Sequence, residues 1–113
     1  MIWIAFIIKH FICDFPLQSM RMVNQKGTYG KWGGIEHAAI HGIFTLVILS
    51  MFHLPVWLAL VDFAIHYHID WAKMKINAHY KLKPDNPWFW HLLGLDQMAH
   101  YLTYAGIIWV SGL

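Results

Sequence analysis

Charged residues are scarce in this chain: Asp, Glu, Lys and Arg make up 12% of its 113 residues, about half the share of an ordinary soluble domain. The formal net charge is only +2, and no basic-aromatic patch is present, which argues against a nucleic-acid partner. The single cysteine, Cys13, excludes an internal disulfide. The chain also has no phosphate loop, dinucleotide fingerprint or nucleophile motif, which leaves the common nucleotide-dependent and serine-type enzymes without support.

Hydrophobic residues, in contrast, make up 58% of the chain, and aromatic residues make up 17%. A single domain over residues 1–113 is what this length allows. A soluble domain of this size has too little interior to bury so much apolar surface. The composition therefore predicts an integral membrane protein with the lipid bilayer as its partner.

Four apolar segments predict an all-α, polytopic membrane bundle of about four helices. The first segment, residues 1–14, is short for a membrane span, so we expect a helix that bends at Pro16 and continues toward Met22. The other helices are predicted over residues 35–53, 55–73 and 88–112. Polar connections are predicted over residues 23–34 and 74–87.

The distribution of basic residues predicts the orientation. Lys and Arg are found in the first and third connections but not in the second turn, the first eight residues or the C-terminal tail. The positive-inside rule then puts both connections in the cytoplasm and both termini outside. All seven tryptophans fall near predicted helix ends, as expected for two aromatic belts at the membrane surfaces.

We therefore expect a bacterial inner-membrane location.

Four pairs of potential metal ligands recur at a spacing of four residues, one in each predicted helix. Residues i and i+4 lie on the same face of an α-helix, so each pair can point inward together. The antiparallel topology also brings all four pairs to the cytoplasmic side of the bundle. The eight candidate metal ligands are His10, Asp14, His37, His41, His66, Asp70, Asp96 and His100.

Imidazole and carboxylate groups together suit Zn, Fe or Mn. Eight candidates exceed the four ligands of a structural zinc site, so either two metals bind or some of the residues orient the ligands of one metal. Asp70 and Asp96 are the predicted acid–base groups, since each is followed by a polar residue that could hold substrate or water. Supporting contacts are predicted for Gln18, Asp62, Lys73 and Gln97. The alternative is a hydrogen-bond network between helices that binds no metal.

The motifs that carry these residues resemble a known family. They are H-F-I-C-D-F-P-L-Q from His10, N-Q-K-G from Asn24, H-A-A-I-H from His37, H-Y-H-I-D-W-A-K from His66 and L-D-Q-M-A-H from Leu95. In content and order they are similar to the family called domain of unknown function 3307, which comprises small membrane proteins of bacteria and bacteriophages. The resemblance implies a membrane location and leaves the biochemical activity open.

Two classes of function follow from the residues. The first is a metal-dependent hydrolase acting on a lipid or another substrate at the membrane interface, with Lys73, Lys75 and Arg21 holding an anionic headgroup. Di-iron oxidative chemistry is a less favoured enzyme option, because the histidine spacings differ from those of lipid desaturases. The second class is a non-enzymatic phage or bacterial membrane protein, either an ion-handling bundle or a host-interaction factor, whose His/Asp network is structural.

Overall fold

A computed structural model describes residues 1–113 as five α-helices with no strand. The prediction of an all-α chain is therefore confirmed. The helices are α1 (Ile2–Asp14), α2 (Met20–Gln25), α3 (Trp32–Met51), α4 (Leu58–His79) and α5 (Pro87–Val110). Four of them correspond to the predicted helices, and α2 is an additional short helix.

The first helix ends earlier than the sequence predicted. It stops at Asp14, and a turn through Pro16 separates it from α2. Proline has no backbone N–H, and it disfavours the helical conformation of the residue before it. The second helix then starts afresh behind Ser19, whose hydroxyl accepts a hydrogen bond from the backbone N–H of Met22 at 3.3 Å. The bend is thus a complete break, and it lets α2 fold back toward α3.

The fourth helix, α4, extends beyond the predicted end at residue 73 and includes residues 74–79. Hydropathy does not distinguish this polar, exposed last part of the helix from a loop. The helix ends where Lys81 adopts a left-handed conformation with φ of 52°. As a consequence, Trp71 lies inside α4 rather than at its end, and the expectation for this tryptophan was wrong.

The long helices pack in an antiparallel arrangement. A buried apolar cluster joins the start of α1 to the end of α3, the start of α4 and the end of α5. Phe6 and Tyr104 stack within it with ring centroids 5.0 Å apart, which ties α1 to α5. This cluster closes one end of the bundle, and the paired His and Asp residues lie beyond it along the helices.

The interior is unusually polar beyond this cluster. Five formally charged side chains are buried there: Lys9, Lys26, Asp62, Asp70 and Asp96. Of the helices, α3 alone is long and apolar enough to cross a membrane by length and composition. This criterion supports one span, whereas the sequence predicted a polytopic bundle.

Two adjacent glycines allow α2 to lie against the first turn of α3. A Cβ atom at Gly34 would lie 2.9 Å from Lys26 Cα and 3.3 Å from the Tyr67 ring. A Cβ atom at Gly33 would lie 2.7 Å from the Arg21 carbonyl oxygen. Backbone atoms therefore occupy the space that a larger residue would need, and this close approach is what brings Lys26 into the interior.

Replacing Gly34 with alanine is expected to destabilise the protein by roughly 1–3 kcal/mol, because the overpacked α2 must move away from α3. The matched control is Gly94→Ala in α5, where an added Cβ meets nothing within 4 Å and the helix gains about 0.5–1 kcal/mol. Thermal unfolding in detergent measures both changes. Equal melting temperatures for the two variants would contradict this packing argument.

Candidate metal centre

The structure brings all four pairs, three His/Asp pairs and the His37/His41 pair, into one cluster. His10 and Asp14 come from the last turn and a half of α1, and the other three pairs come from α3, α4 and α5. The five histidines are each at most 3% exposed. The helical i,i+4 spacing places each pair on one inward face, and the antiparallel packing aligns those faces at one level.

Asp14 is the centre of the first part of the cluster. Its Oδ1 atom lies 2.8 Å from His41 Nε2 and 3.2 Å from His37 Nε2. His66 Nε2 completes the group at 3.4 Å from His37 Nε2. All four residues offer ligand atoms within 4.8 Å of one another.

Asp70 is the centre of the second part. Its Oδ1 atom lies 3.1 Å from His100 Nε2, and its Oδ2 atom lies 3.2 Å from His66 Nε2 and 3.3 Å from His37 Nε2. His66, Asp70 and His100 form a second group of ligand atoms within 4.8 Å. His66 is therefore shared by the two groups.

These separations fit a metal site. Two ligands bound to one ion at about 2.1 Å lie roughly 3.0–3.4 Å apart in octahedral or tetrahedral geometry. The two groups could therefore hold a metal ion, and their nitrogen and carboxylate donors suit a first-row transition metal.

His10 is in the cluster, but both of its ring nitrogens already have protein partners. His10 Nε2 faces two acceptor oxygens, Asp14 Oδ2 at 2.9 Å and Gln97 Oε1 at 2.8 Å, so this nitrogen carries the proton and donates. His10 Nδ1 lies 2.7 Å from Tyr104 Oη, which also accepts a hydrogen bond from Lys9 Nζ at 3.0 Å. This network indicates that His10 orients Asp14 and is not itself a direct ligand.

Asp96 lies at the edge of the cluster. Its Oδ1 atom is 3.4 Å from His100 Nε2, while Oδ2 accepts hydrogen bonds from Gln97 Nε2 at 3.1 Å and from Lys73 Nζ at 3.4 Å. Gln97 and Lys73, two of the residues predicted to support the site, both contact Asp96. Neither His10 nor Asp96 belongs to the two closest groups of ligand atoms.

Asp62 lies apart from the metal-ligand groups and forms an ion pair. Its Oδ2 atom accepts a hydrogen bond from Lys9 Nζ at 3.1 Å and from Thr45 Oγ1 at 2.5 Å. All three residues are at most 2% exposed. Of the roles considered for Asp62 from the sequence, pairing with a neighbouring helix is the one that its contacts match.

Gln18 Nε2 donates to the backbone carbonyl of Asp14 at 2.6 Å, and Gln18 also contacts a lysine that sequence reasoning placed in a loop. Lys26 Nζ donates to Gln18 Oε1 at 3.0 Å and lies 3.8 Å from Asp70 Oδ2. The sequence signal that could have placed Lys26 in the interior is its four-residue spacing from Met22, since both residues are buried. Lys9 was also missed as a partner of Asp62, although a lysine inside an apolar segment calls for a counter-charge. Nothing in the sequence pointed to Tyr104.

The peripheral histidines and two of the three predicted headgroup residues lie away from the cluster. His68 is exposed and bonds Tyr29 Oη at 2.9 Å, and His53, His79 and His91 are also exposed. Arg21 pairs with Glu36, and this hydrogen bond raises the pKa of the Arg21 guanidinium above its usual value. Lys75 is exposed and makes no ion pair within 4 Å. Of the three basic residues predicted to hold a headgroup, Lys73 is the one beside the cluster.

The family model described as "Protein of unknown function (DUF3307)" matches residues 2–112. The chain belongs to this family. The resemblance inferred from the motifs is thus confirmed, and the matched region contains every residue of the His/Asp cluster. No curated protein and no solved structure matches the chain.

Proposed function

We propose that this chain is a polytopic inner-membrane protein whose His/Asp cluster binds Zn, Fe or Mn near the cytoplasmic face and hydrolyses an ester or phosphoester at the membrane interface. One observation carries the metal proposal. Imidazole nitrogens and carboxylate oxygens from three helices converge within 4.8 Å in a buried site. Ionisable groups persist in an apolar setting when they are paired or bound to metal.

The distribution of residues on α1 supports the membrane location. Ile4, Ile7, Ile8 and Phe11 are each more than half exposed along one stripe of the helix. The opposite stripe is buried and carries Lys9 and His10. A helix that turns its large apolar residues outward and its ionisable residues inward suits a lipid environment. A contiguous exposed apolar surface is unusual in a soluble monomer.

The tryptophans agree with this location. Trp3, Trp57 and Trp109 are exposed at one end of the bundle. Trp32, Trp88 and Trp90 are exposed at the other end. This is the arrangement of two aromatic belts, in which amphipathic rings lie at the level of the headgroups.

The ion pairs favour one of the two groups as the cation site. Three buried carboxylates each have a lysine within 4 Å: Asp62 has Lys9, Asp70 has Lys26 and Asp96 has Lys73. Asp14 has ion-pair contacts with histidines only. The group formed by Asp14, His37, His41 and His66 is therefore the one whose carboxylate lacks a cation.

A metal ion in this position would act as a Lewis acid toward a carbonyl or phosphoryl oxygen. Asp70 and Asp96 are the carboxylates proposed to hold or accept a proton during the reaction. Asp70 is the better placed of the two, because it contacts three of the histidines directly. Gln97 and Lys73 fix the orientation of the Asp96 carboxylate.

Elemental analysis of the detergent-purified protein tests the metal proposal. We expect at least one equivalent of Zn, Fe or Mn, removable by a chelator and restored by adding the metal back. A metal-free protein that folds and functions normally would overturn the proposal.

A metal-free hydrogen-bond network is the second candidate, and one observation favours it. The Nδ1 atoms of His37, His41 and His66 are buried without a hydrogen-bond partner. A histidine bound to metal through Nε2 usually donates its Nδ1–H to a carboxylate, carbonyl or water. In a metal-free network, Nε2–H donates to Asp14 or Asp70, and the unpaired Nδ1 atom is an acceptor. In a metal-bound histidine, the unpaired Nδ1 atom would instead be a donor. The same elemental analysis separates the two candidates.

The proposed orientation makes a separate prediction. His79 at the end of α4 and His53 after α3 are exposed at opposite ends of the bundle. In a Cys13→Ser background, an impermeant thiol reagent applied to intact cells should label His53→Cys and leave His79→Cys unlabelled, because the lysine-rich connections are cytoplasmic. The reverse labelling pattern would contradict this orientation.

A further inference from the structure

A cavity of about 610 Å³ lies between α2 and the hairpin formed by α4 and α5. Four lysines line it: Lys26, Lys73, Lys81 and Lys83. No carboxylate is among the lining residues, and the remaining wall is largely apolar. The cavity therefore combines positive charge with an apolar surface.

Two of these lysines connect the cavity to the His/Asp cluster. Lys26 Nζ lies 3.8 Å from Asp70 Oδ2, and Lys73 Nζ lies 3.4 Å from Asp96 Oδ2. Lys26 is 8% exposed, and its ammonium group lies inside the protein beside Asp70 and Gln18. A molecule in the cavity would thus lie next to the proposed acid–base groups.

The other two lysines differ from Lys26 and Lys73, because neither has a carboxylate partner. Lys81 and Lys83 make no ion pair within 4 Å. Lys81 also has a φ of 52°, in the position after a helix where glycine is the usual residue. A lysine costs about 1 kcal/mol more than glycine in this conformation, so local folding alone does not account for it.

We propose that this cavity binds the phosphate headgroup of an anionic lipid. The unpaired ammonium groups of Lys81 and Lys83 complement the phosphate charge. The apolar wall formed by Leu82, Phe89 and Leu93 can contact the start of an acyl chain. The inference rests on the proposed function, since it supplies the substrate class for the adjacent cluster. Inorganic phosphate shares the charge but would leave the apolar wall without a partner.

Calorimetric titration of the full-length protein in an uncharged detergent tests this proposal. The probe is dihexanoyl phosphatidic acid, and the comparison ligands are inorganic phosphate and dihexanoylglycerol. The variants are Lys81→Gly, Lys83→Gln and the two combined. Lys75→Gln is the matched control, because Lys75 lies on α4 outside the cavity. Glycine at position 81 suits the left-handed backbone, so loss of binding there does not come from unfolding.

We expect each cavity variant to bind phosphatidic acid about fivefold more weakly and the double variant about 30-fold more weakly, at about 1 kcal/mol per lysine. Lys75→Gln should bind as the unaltered protein does. Equal binding by the double variant and by Lys75→Gln would overturn the proposal. Phosphate binding as tight as that of the lipid would overturn the lipid assignment, and tight dihexanoylglycerol binding would overturn the phosphate assignment.

Metal content measured on the same samples keeps this result distinct from the proposed metal site. Lipid binding with the expected lysine dependence in a metal-free protein would support the cavity and reject the metal. A metal-loaded protein with no lysine-dependent lipid binding would reject the cavity alone.

Discussion

Replacing His66 with alanine is expected to abolish metal binding, whereas replacing His68 leaves it unchanged. His66 is the one residue shared by both groups of ligand atoms. Its Nε2 atom lies 3.4 Å from His37 Nε2 and 3.2 Å from Asp70 Oδ2. Removing this imidazole takes a ligand from both groups, so neither group can keep its full donor set.

His68 is the matched control for this experiment. It lies two residues away on the same helix, but its ring faces outward and contacts Tyr29. Both variants remove one imidazole, so they differ only in whether that imidazole belongs to the cluster. Metal per protein, measured after purification in the same medium, is the readout. Retention of metal by His66→Ala, or equal loss in the two variants, would contradict the assigned cluster.

Replacing Lys9 with methionine is expected to destabilise the protein by roughly 3–5 kcal/mol. Lys9 and Asp62 are each at most 2% exposed, and their charged atoms lie 3.1 Å apart. Methionine preserves most of the side-chain volume but leaves the Asp62 carboxylate buried without its cation. The melting temperature should fall by roughly 10 °C or more.

Two further variants test the cause of this loss. Adding Asp62→Asn to Lys9→Met should recover much of the stability, because the amide needs no counter-charge and can still bond Thr45. Arg21→Met, which breaks the exposed Arg21–Glu36 pair, should leave the melting temperature nearly unchanged. A loss as large for Arg21→Met, or no recovery in the double variant, would contradict the buried-pair argument.

Much of the site was predictable because the relevant pattern is local. The four-residue spacing of each pair of candidate ligands requires only that its segment be helical, since helix geometry then puts both residues on one face. The apolar segments indicated four helices, and alternating connections put the pairs at one level. These inferences depend on residues that are close in the chain.

The break after α1 and the length of α4 were less accessible from the sequence. Pro16 predicted a bend, but the separate helix α2 depends on its packing against Gly33 and Gly34 in α3. The polar residues 74–79 continue α4 although their hydropathy resembles that of a loop. Hydropathy identifies what a segment can bury, and does not identify where a polar helix ends.

Only the tertiary structure decided which residues of the cluster meet. Lys9 is 53 positions from Asp62 and 95 from Tyr104, and packing alone brings them together. The same packing engages both nitrogens of His10, pairs three carboxylates with lysines and leaves Asp14 to the histidines. Helical periodicity determines which way a side chain faces, whereas its partner across the bundle depends on how the helices pack.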